Sequence, residues 1–178
     1  MHLKNCSSEH INDLRQLYLS AFPKAERKPF WFMLQKAARG KMEILEIDDD
    51  GAFEGLVITA VYKDLVLVDY FAVSETLRCG GIGSQVLGLI LDRYPNRRVF
   101  GEIEIPTGDE NDNIKIRRKG FYLRNSAKQT GILIDLFGVP MEILVFGDSL
   151  TYDEYIEFYR KVMGRAIVSR IRLIEDKS

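Results

Sequence analysis

The segment from Leu65 to Arg93, LVLVDYFAVSETLRCGGIGSQVLGLILDR, constrains this chain more than any other. Leu65 to Val73 is apolar and β-branched or aromatic, interrupted chiefly by Asp69, and predicts a strand covered on both faces. Val86, Leu87, Ile90 and Leu91 recur at helical spacing and give the next element one apolar face. Between the two lies Arg78-Cys79-Gly80-Gly81-Ile82-Gly83. A strand that runs through a glycine turn into a helix leaves backbone N–H groups without intrahelical acceptors, beside the positive end of the helix dipole. Such a place binds anions, phosphates above all. Glycine suits it because a Cβ would block close approach of a phosphate or force a strained φ.

The residues narrow the choice of phosphate ligand. The P-loop pattern requires Lys after its second glycine, and Leu89 follows Gly88. The dinucleotide fingerprint matches at Gly81 and Gly83, but Val86 stands at its third glycine. Arg/Gln-x-x-Gly-x-Gly/Ala does match, as Arg78, Gly81 and Gly83 directly after Phe71-Ala72-Val73. This resembles the acyl-CoA-binding motif of the GNAT superfamily of N-acyltransferases. The resemblance implies that the loop from Arg78 through Cys79, Gly80, Gly81, Ile82 and Gly83 to Ser84 holds the pyrophosphate of coenzyme A. It also implies that the backbone of Phe71, Ala72 and Val73 pairs with the pantetheine amides. Cys79 occupies a variable position of the motif, and GNAT transfer is usually direct, so it is not read as a nucleophile.

The other elements follow from local patterns. Met1 to Asn5 predicts a short strand, and Ser7 or Ser8 can cap a helix carrying Ile11, Leu14, Leu17, Tyr18 and Ala21 on one side. Phe22-Pro23 ends it; Pro29 opens a second helix through the aromatic run Phe30-Trp31-Phe32, closed by Gly40. Lys41 to Ile47 and Ala52 to Tyr62 form a hairpin about Asp48-Asp49-Asp50-Gly51. Arg97 to Ile105 is a strand, Ile114 to Asn125 a helix, and Gly131 to Phe137 with Pro140 to Phe146 a final hairpin around Gly138. Thr151 caps a last helix with Tyr155, Ile156, Tyr159, Val162 and Met163 on one face. Arg165 to Ile174 adds an edge strand or meets a partner subunit. The expectation is an α/β (α+β) protein with a mixed, mostly antiparallel sheet of about six or seven strands flanked by helices. Residues 1–178 are read as one GNAT-like domain, with 151–178 a C-terminal helix and tail.

A second segment, Arg117 to Ala127, RRKGFYLRNSA, is similar to the GNAT stretch Arg-x-x-x-Phe-Tyr-x-x-x-Gly-Phe. Ser126 and Ala127 replace its Gly and Phe. The resemblance implies that Tyr122 is the general acid toward the leaving thiolate. Amine attack on a thioester builds an oxyanion and then expels a thiolate, and a nearby proton donor lowers both barriers. A base must also take the amine's proton. Glu102 and Glu104 alternate with Ile103 and Ile105, so both carboxylates share one strand face. Glu104 is the first candidate, nearer the strand's C-terminal end, with Glu102 beside it. Asp69 is the second candidate, because a carboxylate inside an apolar run is costly unless paired or functional.

Charge and residue usage exclude several classes. A net charge of −1 over 178 residues gives no electrostatic footprint for nucleic acid. Arg117-Arg118-Lys119 reads as a solvated helix face. No apolar run approaches the ~20 residues that span a bilayer, so no membrane partner is expected. Both histidines, His2 and His10, lie near the N-terminus, so no metal is expected. Two cysteines without an apolar leader fit a reducing cytoplasm. The function expected is acetyl transfer from acetyl-CoA to a primary amine, small-molecule or peptide, in a ternary complex, with a homodimer compatible with the family. The alternative is a non-catalytic acyl-CoA-binding sensor or interaction module.

Overall fold

The computed structural model describes residues 1–74, 81–110 and 112–174, which group into two compact units, Met1–Val61 with Leu67–Pro95 and Tyr62–Val66 with Asn96–Ser178. The first unit holds β1 (His2–Asn5), α1 (Ile11–Ala21), α2 (Phe30–Ala38), β2 (Met42–Asp49), β3 (Ala52–Tyr62), most of β4 (Leu65–Val73) and α3 (Ile82–Arg93). The second holds β5 (Arg98–Glu104), α4 (Asp112–Arg124), β6 (Lys128–Leu136), β7 (Val139–Phe146), α5 (Tyr152–Val162), α6 (Arg165–Val168) and β8 (Ile171–Leu173). The strand order is β1-β2-β3-β4-β5-β7-β6-β8, in a mostly antiparallel eight-stranded sheet flanked by helices. Eight strands form rather than six or seven because both short edges pair: β1 with β2, and the three-residue β8 with β6.

In the first unit, β2 and β3 meet at a two-residue turn, Asp50-Gly51, with φ of 50° and 90°. That is the left-handed pair a type I′ hairpin turn requires. Asp48 and Asp49, expected in the turn, extend β2 instead and pair with Phe53 and Ala52. Leu45, Ile47, Leu56, Ile58, Leu67, Val86 and Ile90 are fully buried and form the core. The helix before them starts at Ile11, later than a Ser7 or Ser8 cap requires; Ser7 Oγ accepts from His10 N–H at 3.2 Å and closes the preceding turn. Of the aromatic run on α2, Trp31 lies 65% exposed, and Met33 is the residue that reaches the core.

In the second unit, Phe100 of β5 meets Phe158 and Tyr155 of α5 edge-on, at 5.1 and 6.0 Å between ring centroids. The buried face of α5 is Tyr155, Phe158, Tyr159 and Val162; Ile156 is only half-buried. Thr151 and Glu154 cap each other in a reciprocal box, as the sequence predicts.

The end of α4 explains how this chain does without the usual Gly-Phe. Ser126 itself takes the left-handed conformation, φ +72°. Its N–H donates to the Leu123 carbonyl at 3.1 Å, and Ala127 N–H donates to the Tyr122 carbonyl at 3.1 Å. Those are the two bonds of a Schellman C-cap, and they fix the backbone at Tyr122. A side chain in the left-handed region is strained where glycine is not. Ser126→Gly is expected to stabilise the protein by about 1 kcal/mol, raising the thermal midpoint by roughly 2–4 °C, whereas Ser126→Val lowers it.

Candidate active site

The glycine turn delivers α3 as the sequence expects. Gly81 is the N-cap of α3, with φ +81° and ψ 6°, and open space where a Cβ would stand. Its glycine therefore answers to backbone conformation rather than to crowding by the described residues. Ser84 and Gln85 donate to the Gly81 carbonyl at 3.0 and 3.2 Å. The amides of Ile82 and Gly83 are thus the ones at this helix start that face no intrahelical acceptor. Arg78, Cys79 and Gly80 lie outside the described residues.

The strand leading into the turn is held from β3. The pairing of β2 with β3 skips Glu54, with Asp48 opposite Phe53 and Ile47 opposite Gly55. Glu54 uses this bulge to reach Ser74: its carbonyl accepts from Ser74 N–H at 2.8 Å and its carboxylate from Ser74 Oγ at 2.7 Å. Beside it, a Cβ on Gly55 would lie 2.6 Å from the Ala72 carbonyl oxygen and 3.0 Å from Val73 Cα. Phe71, Ala72 and Val73 are each half-buried on this strand.

The candidate acids occupy different surroundings. Glu102 Oε1 accepts from the hydroxyls of Tyr155 and Tyr159, at 2.5 and 2.6 Å, and so ties α5 to β5. Glu104 has a long contact, 3.9 Å to Lys115 Nζ, and that lysine also serves Asp109 and Asp112. Asp69 is the most enclosed of the three: its side chain is 4% exposed, Oδ1 accepts from Lys28 Nζ at 2.6 Å, and Oδ2 has no partner among the described residues. Tyr122 stands edge-on to Phe121 and Phe146, at 5.2 and 6.5 Å. Burial holds its phenol above the ordinary pKa, with Arg118 pulling the other way, and no hydrogen bond from a described residue engages its hydroxyl. It is an O–H donor at neutral pH.

Among the described residues one group has metal-ligating types close together: His10, Glu46 and Asp48, with ligand atoms within 4.8 Å. A lysine already serves it, since Lys4 Nζ lies 2.8 Å from Asp48 and 3.3 Å from Glu46. Burial, with Glu46 beside it, pushes the nearby Cys6 thiol up to about 12, far from thiolate chemistry. No described helix is long and apolar enough to cross a membrane.

No protein-family model matches the sequence, and no curated protein is significantly similar to it. Solved structures are similar. A Bacteroides thetaiotaomicron protein described as an acetyltransferase from the GNAT family superposes with a TM-score of 0.74 at 21% identity, covering 94% of this chain and 99% of its own. An aminoglycoside 6′-N-acetyltransferase complexed with coenzyme A gives 0.63 at 12% identity, over 82% and 96% of the two chains. The ribosomal-protein-S18-alanine N-acetyltransferase from Escherichia coli gives 0.59 at 14% identity, over 84% and 94%.

This chain has the GNAT fold. Within that fold, the strand, glycine turn and helix read from the sequence are β4, Gly81 and α3, and the tyrosine segment is the end of α4.

Sequence reasoning missed three residues that shape the first unit. Gly55 carried a signal, because a lone glycine inside a strand pattern marks a bulge or close backbone approach. Glu54 and Lys28 carried none, since their partners lie 20 and 41 residues away. Gly55→Ala should force β3 and β4 apart and cost about 1–3 kcal/mol, read as a lower thermal midpoint. Gly88→Ala, in α3 with nothing within 4 Å of a Cβ, is the control and should be neutral or stabilising.

Proposed function

We propose that this protein transfers an acetyl group from acetyl-CoA to a primary amine by direct attack in a ternary complex. The observation that carries the reading is the run of β4 through left-handed Gly81 into α3, within a GNAT fold. Bound acetyl-CoA would supply a thioester, whose acetyl carbon the amine attacks and whose sulfur leaves as thiolate.

On this reading the amides of Ile82 and Gly83, with Gly81, the Ser84 hydroxyl and the loop residues Arg78, Cys79 and Gly80, bind the donor's phosphates. The peptide groups of Phe71, Ala72 and Val73 pair with its pantetheine arm. Gly55 and the Glu54–Ser74 bonds hold those peptide groups in place. Tyr122 gives its proton to the departing sulfur; its raised pKa keeps that proton available at neutral pH. Glu104 takes the amine's proton, directly or through water. Asp69 is the second carboxylate on offer. Glu102 already accepts from two phenols, so its contribution is to place α5 rather than to move a proton.

The acceptors of the similar structures differ: an aminoglycoside in one, an alanine of ribosomal protein S18 in another. The acceptor here is a primary amine, on a small molecule or a peptide. The test combines Tyr122→Phe with Glu104→Gln. Turnover should fall by about 10²–10⁴-fold with CoA affinity kept. Unchanged turnover removes both residues from the mechanism. CoA binding with no turnover of any amine by the unaltered protein favours the acyl-CoA-binding module.

A further inference from the structure

Asp69 is a buried carboxylate with half of its bonding capacity unused. Its side chain is 4% exposed, Lys28 Nζ meets Oδ1 at 2.6 Å, and Oδ2 has no partner among the described residues. An orphaned buried acceptor is destabilising, and native folds keep few of them. A hydrophobic residue at this place in β4 would carry no such cost.

Lys28 shows what the carboxylate takes. Its ammonium lies against Asp69 and over the ring of Tyr70, 5.2 Å from the centroid. An unbranched alkyl stem thus delivers a primary ammonium to a carboxylate and an aromatic face together. The loop carrying Lys28 does not depend on that contact. Tyr18 Oη donates to the Lys28 carbonyl at 2.9 Å, Lys28 N–H donates to Tyr70 Oη at 3.0 Å, and Tyr70 Oη donates to the Glu26 carbonyl at 2.8 Å. Two tyrosines clip the main chain in place, and the lysine side chain is a separate occupant of the site.

We propose that Asp69 is the anchor for the acceptor's ammonium, that the acceptor is a straight-chain primary alkylamine, and that Lys28 is a resident stand-in which competes with it. This rests on the acetyltransferase reading for its purpose, but not for its test. The chemistry is shared by a free diamine and by a lysine side chain of a peptide.

The experiment uses the full chain and the variants Lys28→Met, which keeps the stem and removes the charge, Asp69→Asn, and both together. The probes are 1,4-diaminobutane, Nα-acetyl-lysine methylamide and branched tert-butylamine. Binding is read first without CoA, as the shift of thermal midpoint with amine concentration. Lys28→Met should need about tenfold less straight-chain amine than the unaltered protein for the same shift, the scale of one charge-assisted hydrogen bond. The double variant should lose the response, and tert-butylamine should be weak throughout. With acetyl-CoA, Lys28→Met should lower KM for the straight-chain amine, and Asp69→Asn should raise KM by more than it lowers kcat. Stronger binding of the diamine or of the lysine derivative identifies the source, and either supports the proposal. No gain in Lys28→Met, an equal gain in the double variant, or equal response to the branched amine overturns it. Because amine binding is read without CoA, these outcomes stand even if the protein fails to bind CoA, which would overturn the donor reading instead.

Discussion

The contact on which the rest of this site depends is the close approach of β3 to the end of β4. At Gly55 there is no room for a side chain, because the Ala72 carbonyl and Val73 Cα stand where a Cβ would be. Next to it, the bulged Glu54 takes two hydrogen bonds from Ser74. Together they hold the last described residues of β4, Ala72 to Ser74, close against β3. An anion site made of backbone amides has no flexible side chain to correct its aim. Its precision comes from how firmly the flanking strand is held.

The charged groups of the chain divide by environment. Glu102 accepts from two buried tyrosines and fastens α5 to β5. Glu104 keeps, among the described residues, a long contact with a lysine shared among three acids. Asp69 keeps an oxygen that no described residue meets. Three carboxylates offered as candidate bases by the sequence thus differ in what they can do, and the difference lies in the donors supplied by distant elements. The same holds for Tyr122, whose burial and hydroxyl without a bond from any described residue suit a proton donor, while its backbone is fixed by the cap bonds from Ser126 and Ala127.

Much of this was legible in the sequence where the cause is local. Leu65 to Val73 is a strand with the predicted bounds, and Val86, Leu87 and Ile90 are buried on α3 as their spacing requires. Gly40 and Thr151 stand at the helix ends their chemistry favours, and Pro29, expected as the first residue of α2, is its N-cap one residue before. Asp69 stood out because a charge in an apolar run needs a reason. Its lysine did not, because the pair is 41 residues apart and only the fold brings it together. Greater separations hid the tyrosines of Glu102, 53 and 57 residues away. Ser126 departs from the family pattern, yet it adopts the glycine-like φ of +72°. Residue identity alone does not reveal that strain; the backbone angle does.

A thermal shift with CoA and acetyl-CoA, set against ATP and NAD, tests the donor site most directly. Ligand at about 100 times its dissociation constant stabilises by about 2.7 kcal/mol, and each kcal/mol is worth roughly 2–4 °C in a protein of this size. A rise of that order with the two CoA compounds alone is the result expected of a glycine turn built for a CoA pyrophosphate. No rise with CoA, or an equal rise with ATP or NAD, would contradict it.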